Sequence, residues 1–413
     1  MKSETLYTRH IMLVISCALC NSSDLRIILD LGFHPLADSF LKKEELLLPE
    51  ATYPLQVLMC QSCGHAMNSF VVPPTARYQD HDYSYDSSNS KVSIEHFKEM
   101  AGDVAERVGI TGGDLVVDIG SSVGTLLQAF KDRTGANILG VEPAHNIALL
   151  ADKNNVPTIH DFWNDAAAAE VLKVGKAKAI TITNAFNHIS DLDDFMRNIV
   201  ATLAPDGAFV IEAPYLLHLV QKLAFDTIYL EHVSYFSIKP LVQYFKKFGM
   251  VITDILENDY MGGSMRLYVR FGTELSPVVE KNIERENTAH LYDLATYTGL
   301  STRMRQFKYA LVKQLFDVRL GGGTIIGIGA PAKGNTLLNY CGIDSTLLDF
   351  ITDASPLKIG KYTPGSHIPI LPDEAITSAV THALILPWNI AEFLKGKLAP
   401  KYPQISFITP HMQ

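Results

Sequence analysis

Asp114-Leu-Val-Val-Asp-Ile-Gly-Ser-Ser-Val-Gly-Thr-Leu-Leu-Gln-Ala-Phe130 is the stretch whose reading decides the fold. Its first half is a short apolar run with β-branched residues, its middle carries Gly120 and Gly124, and Leu126, Leu127 and Phe130 return to helical spacing. The pattern is strand, glycine turn, helix. Glycines at such a turn let a ligand approach the backbone, and the free N–H groups that open the helix favour acceptor atoms there. Asp118 is expected to end the strand, and the next apolar run, Ala136-Asn-Ile-Leu-Gly-Val-Glu142, closes on an acid about 20 residues after the turn, the spacing that ribose recognition asks for. A nucleoside is therefore expected at Asp118, Gly120, Ser121, Gly124 and Glu142.

A βαβ unit whose glycines only let helix and strand pack would look the same over this stretch. The order that follows separates the two readings. Lys178-Ala-Ile-Thr-Ile-Thr183 reads as a further strand, and Leu203-Ala-Pro-Asp-Gly-Ala-Phe-Val-Ile-Glu212 as a turn and another. Met250-Val-Ile-Thr-Asp-Ile-Leu256 and Met265-Arg-Leu-Tyr-Val-Arg-Phe271, joined through Gly262-Gly263, suggest an antiparallel pair at the sheet edge. A dehydrogenase does not normally end that way. With Asp118-Ile-Gly120-Ser-Ser-Val-Gly124 as first motif and Glu142 as the acid of the second strand, the segment resembles the Rossmann-like S-adenosylmethionine (SAM) methyltransferases.

The chain has 413 residues, too many for one core, and three domains are expected: 1–76, 77–275 and 276–413. A net charge of −9 disfavours a polyanion as main partner, so nucleic-acid binding is not expected. The apolar stretch Ile11 to Cys20 is too short and too interrupted for a signal peptide, and no run of about 18 apolar residues suggests a membrane span. A cytoplasmic location is the expectation.

Four of the five cysteines form two pairs, Cys17-Ala-Leu-Cys20 and Cys60-Gln-Ser-Cys63. Each pair presents two sulfurs at a tight turn, and two such turns complete a tetrahedron around zinc, with Gly64 as the corner after the second. A disulfide reading needs an oxidising compartment, for which the sequence gives no sign. Four thiolates close the coordination shell, so the metal is expected to be structural. Cys341 stands apart and reads as buried packing.

Tyr78-Gln-Asp-His-Asp-Tyr83-Ser-Tyr85-Asp-Ser-Ser-Asn-Ser90 suits neither strand nor helix. It reads either as a solvated linker or as a lid whose tyrosines offer rings and hydroxyls to a ligand. A helix is expected from about Val92 to Val108. Asn184 and His188 lie beyond the strand ending at Thr183, at the carboxyl end of the sheet where open α/β sheets bind ligands. In Phe225-Asp-Thr-Ile-Tyr229-Leu-Glu231-His232, polar groups crowd among aromatics. Tyr229, Glu231 and His232 supply donor, orienting acid and base, a set that suits proton abstraction beside a carbonyl.

Together, Cys17/Cys20/Cys60/Cys63, Tyr83-x-Tyr85-x-Ser-Ser, Asp118-Ile-Gly120, Asn184-x-x-x-His188 and Tyr229-Leu-Glu231-His232 resemble the sugar C-methyltransferases of deoxysugar biosynthesis, over nearly the whole chain. The resemblance implies structural zinc, SAM as methyl donor, and a nucleotide-linked 4-keto-6-deoxyhexose, typically methylated at C3, as acceptor. It makes His232 the base, with Tyr229, Glu231, His188 and Asn184 lining the reacting centre and His188 as the alternative base. Tyr83 and Tyr85 would meet the substrate.

Apolar residues at threes and fours from Leu291 to Val318 predict an amphipathic helix, or two joined near Gly299. Thr324-Ile-Ile-Gly-Ile-Gly329-Ala-Pro-Ala-Lys333-Gly334-Asn335 reads as a second strand, glycine turn and helix, followed by the strand Leu347-Leu-Asp-Phe-Ile-Thr-Asp353. Pro331 interrupts the dinucleotide fingerprint, so Lys333 and Asn335 are expected to hold a diphosphate rather than a nicotinamide cofactor. A C-terminal domain that only buttresses the first is the competing reading. The family's pattern also covers Pro364-Gly365-Ser-His367-Ile-Pro-Ile370. The crowded residues 229–232 favour carbon methylation over O- or N-methylation, which needs little more than proximity, and over a non-enzymatic zinc and SAM-binding protein.

Overall fold

The computed structural model describes residues 12–80 and 82–410, so the apolar run expected from Ile11 begins outside the described residues. At its centre lies a seven-stranded sheet: β1 (Leu115–Ile119), β2 (Asn137–Val141), β3 (Thr158–Ile159), β4 (Ala177–Thr183), β5 (Leu203–Pro214), β6 (Met250–Asn258) and β7 (Ser264–Phe271). The spatial order is β6-β7-β5-β4-β1-β2-β3. Only β7 runs against its neighbours β5 and β6, so the expected antiparallel pair lies at one edge of an otherwise parallel sheet. All five residues of β1 are buried, as a parallel strand covered by helices on both faces requires. Chain order reverses at β1, between β2 and β4, and this opens a crevice at the carboxyl ends of β1 and β4. The fold is a Rossmann-like methyltransferase sheet carrying a cysteine module before it and an α/β domain after it.

The N-terminal module is an antiparallel sheet of Leu25–His34, Tyr53–Cys60 and Ala66–Asn68, completed by a strand from far along the chain, Ser234–Tyr235. Ser234 pairs with Met67 and Tyr235 with Ala66. The next residue, Phe236, is fully buried and stacks on Phe186 with ring centroids 4.8 Å apart. Removing such a ring costs about 3–5 kcal/mol, so this crossing is a principal fastening between module and main sheet.

The C-terminal domain is a parallel sheet of five strands in the order Ile370–Leu371, Ile351–Thr352, Ile325–Ile328, His382–Ile385, Ser406–Ile408. One open sequence alternative is decided here and one expectation changes. Helix Leu294–Leu320 runs through Gly299 without a break. The strand expected over 347–353 shrinks to Ile351–Thr352, because the amides of Leu347 and Leu348 both turn back to the Asp344 carbonyl. A bridge between Leu41 and Tyr362 ties this domain to the first, and one apolar core runs through all three, from Val57 through Ile182 and Phe236 to Leu337. Among the described residues no helix is long and apolar enough to cross a membrane.

Candidate active site

The two cysteine turns are built alike. Asn21 and Gly64, each following a pair, take positive φ (61° and 85°) and donate their amides to the carbonyls of Cys17 and Cys60. Asn tolerates this left-handed conformation and Gly adopts it without strain. Gly64 has a second reason to lack a side chain: a Cβ would stand 2.4 Å from the Tyr292 ring. Cys17 Sγ lies 3.6 Å from Cys63 Sγ and Cys20 Sγ 3.5 Å from Cys60 Sγ, with all four sulfurs within 4.8 Å of one another. Zn–S bonds of about 2.3 Å in a tetrahedron put sulfurs about 3.8 Å apart, so the four residues fit zinc.

At the crevice, Gly120 and Gly124 both take positive φ (70° and 84°), and a Cβ on Gly120 would lie 2.8 Å from Cβ of Ala185, in the turn after β4. The turns after β1 and β4 therefore touch across the switch point. Asp118 faces Thr181 on β4, whose hydroxyl donates to its Oδ1 at 2.6 Å. Glu142 accepts the Ser122 amide on Oε2 and the Ala144 amide on Oε1, both at 2.9 Å, which fixes its carboxylate at the end of β2. Burial pushes both acids up to about 7. Ser121 Oγ and Asn184 Oδ1, one from each touching turn, are buried and have no partner. The backbone cradle, the buried acid at the end of β2 and the unpartnered polar atoms fit SAM.

Two histidines meet beside this crevice. His188, in the short helical turn after β4, and His232 have ring centroids 4.7 Å apart, edge to face. His232 Nδ1 is 2.7 Å from the Thr227 carbonyl, which can only accept, so the proton sits on Nδ1 and the Nε2 lone pair is left free. Burial holds this imidazole down at about 3, hence neutral. His188 Nδ1 instead shares a hydrogen bond with the Tyr78 hydroxyl, and burial, then the neighbouring His232 and Arg77, keep its pKa well below the ordinary range. The Tyr229 ring lies on His232 at 3.7 Å, and Tyr83 meets Tyr78 edge-on at 5.3 Å. Burial raises all three phenols, which therefore remain protonated donors.

The segment from Tyr83 to Asn89 lies across this site and is tied to all three modules. Asp38 receives the Ser84 amide and hydroxyl, Asn146 exchanges hydrogen bonds with the Tyr83 backbone, Ser87 reaches Ser122 and Thr125, and Asn89 reaches Ser355. The linker reading gives way to a covering strap. Tyr85 interacts with Tyr260, and its phenol is raised well above the ordinary range by burial.

Three expectations need correction. Glu231 does not orient His232: its Oε1 accepts the Asp38 amide at 2.9 Å, its Oε2 is buried and unpartnered, and the Thr227 carbonyl holds the ring. Burial pushes Glu231 up to about 7. Lys333 is not an open phosphate donor: its ammonium bonds Asn389 Oδ1 at 2.5 Å and lies over the Trp388 ring, which itself donates to buried Asp226. The cradle is closed by its own side chains, since Asp353 also takes the Ala330 amide. Asn335 is likewise engaged, with the Ala37 carbonyl at 2.7 Å.

Sequence reasoning gave no role to Arg77, Asp38, Asn68 and Thr227, and read Tyr78 only as part of the linker or lid. Arg77 and Tyr78 lie in a helix opened by Pro73-Pro74, a start signal that was available; the others become visible only through contacts between distant segments.

Three family models together span most of the chain: "Putative zinc binding domain" at residues 17–78, "Methyltransferase domain" at 95–255, and "C-methyltransferase C-terminal domain" at 259–410. The chain is 32% identical over 380 residues to the C-methyltransferase NovU of Streptomyces niveus, covering 91% of this chain and 90% of that one. Among solved structures, a SAM-dependent methyltransferase of Clostridium acetobutylicum matches 44% of this chain and 92% of its own at 13% identity, with a TM-score of 0.36. The magnesium protoporphyrin IX methyltransferase of Synechocystis, with bound SAM, matches 43% and 81% at 13% identity, with a TM-score of 0.33.

Proposed function

This chain belongs to the C-methyltransferase family, as a SAM-dependent enzyme, and we propose that its acceptor is a nucleotide-linked 4-keto-6-deoxy sugar, of the dTDP type, methylated at C3. Residues 1–76 would hold zinc, 77–275 the methyl donor, and 276–413 the nucleotide end of the acceptor through surfaces other than the closed turn from Gly329 to Asn335. The observation that carries the reading is His232, a neutral imidazole with Nδ1 tied to a carbonyl and Nε2 free, in a buried chamber of phenols beside a second histidine.

A C–H bond beside a ketone is weakly acidic, so a base and stabilisation of the enolate oxygen must act together. Burial keeps His232 neutral and therefore competent to accept. A lone imidazolium is costly in this chamber, but the proton arrives on Nε2 as the enolate forms beside it, so the two charges appear as a pair. The protonated phenols of Tyr229, Tyr83 and Tyr78 are donors of the kind an enolate oxygen needs. Tyr78 engages the ring of His188, which favours His232 over His188 as base. Asn184 would align the acceptor through its unpartnered Oδ1, and Glu231, held near neutrality by burial, offers a second polar contact. Gly120, Ser121, Gly124, Asp118 and Glu142 would hold the methyl donor, which when bound supplies an electrophilic methyl on sulfonium. The carbon would bond to that methyl as the S–CH3 bond breaks, its electron pair staying on sulfur.

The test is product analysis with methyl-labelled SAM and a panel of nucleotide-linked 4-keto sugars. The expected product carries the label on a ring carbon. Label on oxygen or nitrogen would replace this reading with the heteroatom one, and no transfer to any acceptor would leave a binding protein.

A further inference from the structure

We propose that Arg77 is a positioning residue for this chemistry: a buried cation without a carboxylate partner that locks the two histidine-bearing segments together and favours the anion formed between them. Arg77 is 1% exposed. Its Nη1 donates to the carbonyls of His188 at 3.0 Å and Glu231 at 3.1 Å, and its Nη2 to Ser190 Oγ at 2.8 Å. One guanidinium thus spans the turn after β4 and the segment that ends in His232, which lie far apart in sequence. The following residue, Tyr78, binds the His188 ring, so two consecutive side chains set the carbonyl and the imidazole of the same histidine. Pro73 and Pro74 pre-set the helix that presents them.

The hydrogen-bond acceptors of this guanidinium are all neutral oxygens, its carbon lies 5.3 Å from the centre of the Tyr78 ring, and its Nε is buried without a hydrogen-bond partner. Among the described residues no carboxylate lies within ion-pair distance of Arg77. Desolvating a cation costs several kcal/mol, and neutral acceptors offset this only in part. If fastening two loops were the whole task, a neutral donor would serve with less desolvation. The charge has a further consequence: it disfavours protonation of both histidines and favours negative charge in the same space. Neutral base and stabilised enolate are the two requirements of the step.

The inference rests on the enolate reading, and hydrogen exchange separates the two. The enzyme, with zinc in place, is incubated in heavy water with the keto sugar nucleotide it methylates, and deuterium entry beside the carbonyl is followed for wild type, Arg77→Met and Arg77→Lys. The expected result is exchange slowed roughly 100-fold in Arg77→Met, the order lost with one oxyanion donor, with SAM affinity and zinc content retained. Arg77→Lys, which keeps the charge, should recover roughly tenfold of that loss and lower kcat with little change in acceptor KM. Wild type that exchanges while Arg77→Met keeps pace with it overturns the role of Arg77 alone, and so does a lysine variant no better than methionine. Should Arg77→Met lose zinc and fold, the lysine variant decides by itself, and raised KM at wild-type kcat overturns the inference. Wild type that methylates without any exchange overturns the enolate reading and this inference with it.

Discussion

Asn68 joins the zinc module to the segment that carries His232, and replacing it with leucine should loosen that segment without unfolding the rest. Its Nδ2 donates to the Tyr229 carbonyl at 3.2 Å, and its Oδ1 accepts the Tyr235 hydroxyl at 2.8 Å, in a position only 1% exposed. The Tyr229 carbonyl keeps a second donor, the His232 amide at 3.0 Å, so the loss there is one net hydrogen bond, about 1 kcal/mol. The Tyr235 hydroxyl loses its acceptor in a dry site, which costs about 1–3 kcal/mol more. The sum, about 2–4 kcal/mol, should fall on local opening of residues 229–235, because the strand pairing of Asn68 with its neighbours uses backbone groups that leucine retains. Amide hydrogen exchange over this segment should then quicken roughly 30- to 1,000-fold, with exchange in β1 and β4 unchanged, and kcat should fall while SAM affinity holds. Acceleration of less than about threefold, or acceleration spread evenly over all three sheets, would refute the view that Asn68 positions this segment.

Other expectations follow from the same contacts. Metal analysis should give about one zinc per chain, and Cys60→Ser should lose it together with activity, because Cys60 ends the strand next to Ala66–Asn68; a metal-free but fully active variant contradicts the coupling. Lys333→Met should destabilise the fold by removing the ammonium from Asn389 and from the Trp388 ring, measured by denaturant unfolding; a variant of normal stability with raised acceptor KM would return Lys333 to the phosphate-binding role. The histidines give a pH signature of known sign. His232 is depressed to about 3, so its contribution to stability is present above the unfolded value near 6.5 and is lost as pH falls below it; Asp118, Glu142 and Glu231, raised to about 7, contribute in the opposite sense and lose stability as pH rises to that value. Below pH 6.5, His232→Asn should therefore gain on wild type by about 1.4 kcal/mol per pH unit, measured by denaturant unfolding; parallel curves would mean that the ring is not buried neutral.

What could be read from the sequence was local. The turn at Gly120 to Gly124 announces itself because glycine spacing, the β-branched strand before it and the helical leucines after it lie within one stretch. The paired cysteines do so because zinc geometry is written into each turn. The antiparallel edge was legible from the glycines between β6 and β7. What escaped depends on chain segments meeting over long separations. Ser234–Tyr235 carries no sign that its partner is Ala66–Asn68, yet that pairing sets the place of His232. Glu231 beside His232 suggested an orienting acid by adjacency, whereas the carboxylate turns to the Asp38 amide. Lys333 in a glycine-rich turn looked like a phosphate ligand, because only the fold brings Asp226 and Trp388 against it. Arg77 has Asp80 and Asp82 close by in sequence, yet its guanidinium bonds the carbonyls of His188 and Glu231, segments that only the fold brings to it.

The central claim, a carbon acid deprotonated by His232 before methyl transfer, is tested most directly by following solvent deuterium into the position beside the carbonyl of the keto sugar nucleotide. Wild type should wash deuterium in whether or not methyl transfer can follow, and His232→Asn should lose both exchange and turnover while still binding SAM. His188→Asn should retain exchange at a reduced rate. If His232→Asn exchanges at the wild-type rate and His188→Asn does not, the base is His188; if both variants exchange like wild type, the mechanism set out here is wrong.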